Sequence, residues 1–321
     1  MYDHLFHYAL MALTTTIICL VAGITNGFAS MTGIHALTVQ PHAHAKISRS
    51  LLLGSALTET ASLIALVITA LFIKQCTFDF ANPWVNYAEI GALFGLLCAG
   101  TIVTIATSLP VKAACCAIAR QPLFAQEIER LMLAIQSIIQ TPLIFAFITT
   151  LLIQKQLHTV TTLSQALRFI AAGLCIGVSS IGPTLGLGLF GQKVCQSLGI
   201  NRTIYKKLFL FTFVTATIIE SPLIFSFLIT LFILKSHTIP ASGQFLHAIG
   251  CLSAAALIAL GTLGSGIALG AIARKAAATI AQFPEHYNEI RKTSLTAQIF
   301  TETLSIYSFL VAVIIVMGQF F

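Results

Sequence analysis

Four segments of this chain repeat at nearly constant spacing, inside stretches too apolar for a soluble fold. "ESPLIFSFLITLF" begins at Glu220 and "QTPLIFAFITTLL" at Gln140, while "ETASLIALV" begins at Glu59 and "ETLSIYSFL" at Glu302. Their first residues are 81, 80 and 82 positions apart. Eighteen residues before each lies a loop position: Pro41, Pro122, Arg202 and Pro284. One residue after each lies a hydroxyl: Thr60, Thr141, Ser221 and Thr303. Fourteen residues before each loop position stands a small residue: Gly27, Ser108, Gly188 and Gly270. A repeat of this length holding two long apolar runs predicts four tandem helical hairpins, with boundaries at 1–80, 81–160, 161–240 and 241–321.

Composition sets the solvent of this fold. The chain has 321 residues, 57% hydrophobic and 8% charged, with a mean hydropathy of +0.94. A membrane-spanning helix needs about 20 apolar residues. Eight stretches meet that need: 9–39, 50–73, 87–118, 131–153, 166–197, 206–234, 245–280 and 294–320. They are apolar on every face and do not alternate, which favours helices over a barrel. The first run lacks a basic start and reads as a span rather than a signal peptide. Thirteen of the 17 basic residues lie in or beside the connections after spans 1, 3, 5 and 7. The positive-inside rule puts those connections in the cytoplasm and both termini on the other side.

Several functions find no support in the sequence. None of the eight cysteines forms CxxC, and there is no HExxH or Walker motif. No disulfide framework, resident metal or cofactor is expected, and the basic balance reflects topology rather than nucleic-acid binding. His42 and His44, in "PHAHAK", read as solvated loop histidines rather than metal ligands.

The first helix of each hairpin carries glycines four residues apart: Gly23/Gly27, Gly91/Gly95, Gly182/Gly186 and Gly266/Gly270. That spacing lets helix backbones approach closely in a membrane. It predicts an inner wall of glycine-rich first helices, with the carboxylate-bearing second helices outside. Glu59, Glu220 and Glu302 read as the only acids deep in the spans, the other seven falling in tails and connections. A charge at mid-membrane costs about 2.5–3.5 kcal/mol on insertion scales, so a glutamate there is held mostly neutral and is a functional candidate. Three at one depth in successive repeats point to a periodic carrier of ions. Gln140 has nearly the shape of a protonated glutamic acid but cannot release a proton.

"LGTLGSGIALGAIARKAAATIAQFPE" followed by "TAQIFTETLSIYSFLVAVIIVMG" resembles a complete c subunit of a rotary F-type ATP synthase, and "ARQP" at Ala119–Pro122 resembles that family's loop signature. The resemblance runs through all four hairpins and is tightest in the fourth. The family's usual chain is one hairpin, so the fourfold fusion departs from it. The fused proteolipid of V-type ATPases is the close alternative. The resemblance implies a non-catalytic subunit that forms a rotor ring with copies of itself, in a bacterial inner membrane. Glu59, Glu220 and Glu302 would exchange ions with a stator subunit that supplies an arginine. A neutral carboxyl would then pass through lipid. The loops, carrying Gln40, Pro41, Arg120, Gln121, Pro122, Asn201, Arg202, Gln282 and Pro284, would grip soluble stalk subunits.

The resemblance also frames the choice of ion. Sodium-type rings use a first-helix carboxamide, a hydroxyl just after the glutamate and a nearby tyrosine. Thr60, Ser221 and Thr303 supply the hydroxyl, and Tyr307 lies five residues after Glu302. The first-helix position, 33 residues before each site, is Asn26, Thr107, Leu187 and Leu269. With leucine at two of the three glutamate sites, protons are favoured over sodium. Pro142 and Pro222, two residues after their sites, each remove a backbone hydrogen bond. That leaves the Ile218 carbonyl expected to serve Glu220 or its cation. The competing readings are an eight-span secondary transporter with the glutamates turned inward, and a structural proteolipid without transport.

Overall fold

The computed structural model describes residues 2–74, 83–235 and 244–318. Ten α-helices cover most of them: α1 (Tyr2–Val39), α2 (His44–Lys74), α3 (Pro83–Arg120), α4 (Ala125–Ile139), α5 (Thr141–Gln156), α6 (Leu163–Ser179), α7 (Ile181–Ile200), α8 (Tyr205–Lys235), α9 (Gln244–Gln282) and α10 (Tyr287–Met317). They make eight segments long and apolar enough to cross a membrane, arranged as four tandem hairpins. The repeat boundaries drawn near 80 and 240 lie outside the described residues.

Each hairpin turns through a single 3-10 turn, at Pro41–Ala43, Pro122–Phe124, Arg202–Ile204 and Pro284–His286. Proline suits the first position because its φ is preset and its missing N–H has no partner to lose. The third loop has no proline there. Instead the Asn201 side chain accepts the Thr203 backbone N–H at 3.0 Å. Successive loops are tied together at this end of the molecule. Lys46 Nζ donates to the Pro122 carbonyl at 2.9 Å, Gln121 Nε2 to Gly199 at 3.1 Å, and Lys207 Nζ to Pro284 at 3.3 Å.

Two spans are interrupted. The second helix of repeat 2 breaks at Gln140, and the first helix of repeat 3 breaks at Ser180. Each break lies just before a proline, Pro142 or Pro183, that cannot bond to the preceding turn. Pro110 and Pro222 lie inside continuous helices α3 and α8.

The first helices pack side by side in chain order: α1 on α3, α3 on α6 and α7, and these on α9. Glycine makes this possible. A Cβ on Gly173 would run into the Gly91 backbone, and one on Gly186 into Gly266. Gly188 lies on Ala106, and Gly270 on Gly186. The second helices form another layer, packed on the first helix of their own hairpin, on that of the following repeat and on each other. α1 and α9 are not among the extensively packed pairs, so the four hairpins describe an open arc. At its beginning, Cβ atoms on Gly23 or Gly27 would meet nothing within 4 Å.

Candidate functional site

The four register positions lie on the second-helix layer. Glu59 is exposed, and Gln140, Glu220 and Glu302 are half-buried. The polar partners of two of them come from the preceding repeat. Thr60 Oγ1 lies 2.8 Å from Gln140 Oε1, and Ser221 Oγ bonds Glu302 Oε1. A hydroxyl therefore serves the site of the next repeat rather than its own. Glu59 lies at the start of the arc, with no preceding repeat among the described residues. Its carboxylate instead receives Asn26 Nδ2 at 3.0 Å, across the 33-residue offset within its own hairpin.

Proton counting shows what these contacts can hold. Gln140 Nε2 donates to the Leu57 carbonyl at 2.7 Å, and Thr60 donates to Gln140 Oε1. The amide thus closes a two-bond loop between repeats 1 and 2. A protonated carboxyl has the same pattern, one acceptor oxygen and one O–H donor. In repeats 3 and 4, Ser221 Oγ lies 2.9 Å from the Ile218 carbonyl and also contacts Glu302. Serine has a single proton. If it goes to Ile218, the Glu302 carboxyl must itself be the donor and is neutral.

The Ile218 carbonyl lies 2.9 Å from the Ser221 hydroxyl, and no hydrogen bond joins it to Glu220 among the described residues. Pro222 deprives it of its helical partner, but the Ser221 hydroxyl fills that place. By register with Leu57, it belongs to the site of Glu302 in the next repeat. Thr303 bonds back to the Phe300 carbonyl at 2.7 Å. Leu187 and Leu269 are buried, and the buried Thr107 hydroxyl bonds to Val103 in its own helix.

The family model for the C subunit of ATP synthase matches residues 170–233 and again residues 252–315, so that each match contains one register glutamate. The ATP synthase c subunit of Natranaerobius thermophilus is 42% identical over 65 residues, which is 20% of this chain and 69% of that protein. Its counterpart in Gloeobacter violaceus is 38% identical over 68 residues, 21% of this chain and 83% of that protein. The chain belongs to the ATP synthase c-subunit family. The two family matches fall in repeats 3 and 4, in tandem.

Two features of this fused c subunit are not evident from the sequence. Tyr307 is 61% exposed and makes no hydrogen bond to Glu302 among the described residues. Its register equivalents, Phe145 and Phe225, stack on Phe227 and Phe309 of the next second helix, at 4.4 and 5.2 Å between centroids. Tyr307 thus stands, exposed, at the position that Phe145 and Phe225 use for packing between repeats. The second feature is Glu89, which hydropathy alone assigns to a connection. It lies inside α3, is fully buried, and meets His7 Nδ1 of α1 at 2.7 Å. A span drawn from residue 87 puts Glu89 at a membrane edge, whereas α3 begins at Pro83 and carries it into the layer of first helices.

Proposed function

We propose that this chain forms the rotor ring of a rotary ATP synthase or ATPase and moves protons on Glu59, Glu220 and Glu302. One observation carries the reading: the hydroxyls of repeats 1 and 3 reach the register position of the next repeat. Inside one chain that series leaves Thr303 outgoing and Glu59 incoming. A second copy placed after repeat 4 continues it. The first-helix layer fits the same continuation, since the register of Gly188 on Ala106 and Gly270 on Gly186 brings Gly27 of the next copy onto Ala268. An inward-facing transporter site would need the arc to close on itself.

Protons suit the sites better than sodium. Leucine occupies the first-helix position opposite Glu220 and Glu302, where a sodium ion would need oxygen. Ser221 and Ile218 accommodate a neutral carboxyl without any further ligand. A stator subunit supplies the arginine that meets each carboxylate while it is ionised. The tied loops face the cytoplasm and contact the soluble stalk, and the chain itself performs no catalysis.

The test is covalent labelling with a hydrophobic carbodiimide, with and without sodium, read by peptide mass spectrometry. Labelling is expected at Glu59, Glu220 and Glu302, unaffected by sodium. Sodium protection at any one would make it a sodium site, with Glu59 the first to check because Asn26 adds a carboxamide there. Failure of all three to react would return the chain to the transporter or structural reading.

Gln140 makes three the number of ions per chain per turn. Each charge crossing 100 mV corresponds to about 2.3 kcal/mol. Fewer ions per turn suit a pump that builds a steep gradient from ATP. Gln140→Glu keeps both inter-repeat bonds when protonated and adds a fourth carrier. It should raise the ion-to-ATP ratio by about one third, in proportion to charge moved, measured as proton uptake per ATP in vesicles. An unchanged ratio would assign Gln140 a packing role alone.

A further inference from the structure

Two joints inside the chain, between repeats 2 and 3 and between repeats 3 and 4, show how the loop ends of neighbouring repeats meet. The residue three positions after the loop position of one repeat faces the residues two and five positions after that of the repeat before it. Phe124 lies 5.6 Å from Tyr205, ring to ring, in this relation. Lys207 Nζ lies 5.5 Å from the Tyr287 ring, and the Tyr287 hydroxyl donates to the Lys207 carbonyl at 3.1 Å. Applied once more, the relation brings His44 of a second copy against His286 and Glu289. Those two are already paired with each other, His286 Nδ1 to Glu289 Oε2, at 3.1 Å.

The free ends look like an uncovered joint. At internal joints the facing position is filled by Ala125 and Tyr287, both buried, or by the half-buried Tyr205. His44 is exposed, as are the side chains of His286 and Glu289, at 58% and 79%. A groove of about 630 Å³ runs between α9 and α10 beside Glu289, Thr293 and Ala297. Size matching also continues. At internal joints Gly54 lies against Val111, and Gly191 against Ile135. The same register sets Ala297 of the groove against Ser30 of the next copy, again with little bulk.

Given the ring proposed above, we infer that the joint between repeat 4 of one copy and repeat 1 of the next is fastened by an ionic contact, Glu289 of the one to His44 of the other, with His286 as second partner of the carboxylate. No internal joint has an acid facing a histidine at these positions. On the repeat 1 side, Lys46 and Arg49 are already engaged by repeat 2, Lys46 with the Pro122 carbonyl and Arg49 with Glu129 at 3.1 Å, so Glu289 and Glu285 are the acids that His44 would meet across the joint. Lys275 and Lys292 flank Glu289 on its own side, and Arg291 is turned onto the Tyr287 ring.

The sign of the pH dependence follows. Histidine changes charge between about pH 5 and 8. His44 gains an anionic partner on assembly, so the ring favours its protonated form. The contact strengthens the joint below the titration range of the free histidine and is lost as pH rises through that of the assembled one. At a partly exposed joint, resistance to dissociation should fall about two- to fivefold.

The experiment uses the full-length chain assembled in detergent. Intact ring remaining after a fixed detergent challenge is measured from pH 5.5 to 8.5 for the wild type, His44→Gln, Glu289→Gln and the exchanged double variant His44→Glu/Glu289→His. The wild type should lose ring as pH rises, each single variant should be flat, and the exchange should restore the slope. A slope that survives in both single variants, or is not restored by the exchange, would overturn the contact while leaving the ring intact. No oligomer at any pH would overturn the ring, and this contact with it. As a check independent of ring stability, a water-soluble carbodiimide should join H44K chains to Glu289 of differently isotope-labelled chains. Absence of that cross-link in an intact ring would also reject the contact.

Discussion

Replacing Glu220 by glutamine should lower ATP-driven proton pumping by about a hundredfold, far more than the one-third loss that a simple count of carriers gives. The argument starts from the neighbouring site. Gln140 is already neutral, and Thr60 and the Leu57 carbonyl satisfy its amide. In the rotor ring proposed above, Glu59 and Glu220 would flank that gap, so the stator arginine would meet a carboxylate on either side of it. Glu220→Gln would place two neutral positions in succession. The arginine would then remain without a counter-ion over a longer path, and an uncompensated buried charge costs about 3–5 kcal/mol. Glu302→Gln also removes one carrier but leaves every gap a single position wide, so its loss should be smaller. Pumping by the assembled complex in vesicles distinguishes the cases. Equal losses of about one third for both variants, the proportional result for charge carried, would show that the order of sites is irrelevant.

Gly173→Val should prevent the first-helix layer from forming. A Cβ at this position collides with the Gly91 backbone, which cannot rotate away as a side chain can. Overpacking costs typically about 1–3 kcal/mol and occasionally more, and an obstruction by backbone belongs at the upper end. α3 and α6 would separate, and the seam between repeats 2 and 3 with them. Gly264→Ala is the control, because a Cβ there meets nothing within 4 Å. That change should be neutral or slightly stabilising, by up to about 1 kcal/mol of helix propensity. Thermal unfolding in detergent, followed by circular dichroism, compares the two. Similar midpoints would mean that the close approach of α3 and α6 is unimportant for stability.

Period and chemistry are legible in the sequence because both are properties of residue order. Apolar runs of the right length define spans, and a shared register aligns Glu59, Gln140, Glu220 and Glu302 without knowledge of any contact. The offset of 33 residues that singles out Asn26 lies within one hairpin, so it too can be read along the chain. Partners in different repeats are another matter. Thr60 adjoins Glu59 in sequence but bonds Gln140 eighty residues away, because on a helix adjacent residues point in different directions. Pro142 and Pro222 have the same local sequence signal, yet α4 and α5 separate at the first while α8 runs through the second. Glu89 reads as an edge residue because hydropathy marks where a helix becomes apolar rather than where it starts.

The covalent joining of the hairpins has a consequence for fidelity. If charged and neutral hairpins were separate polypeptides, a ring would be a random mixture, with neutral positions scattered and sometimes adjacent. In this chain the Thr60–Gln140 loop always forms between segments already tethered to each other, at an effective concentration no free hairpin attains. A ring of the proposed kind, built from this chain alone, would carry its neutral position once in four, evenly spaced, whatever the expression level or assembly rate. Fusion would then make the sequence of active and silent steps an inherited property of the gene rather than an accident of assembly.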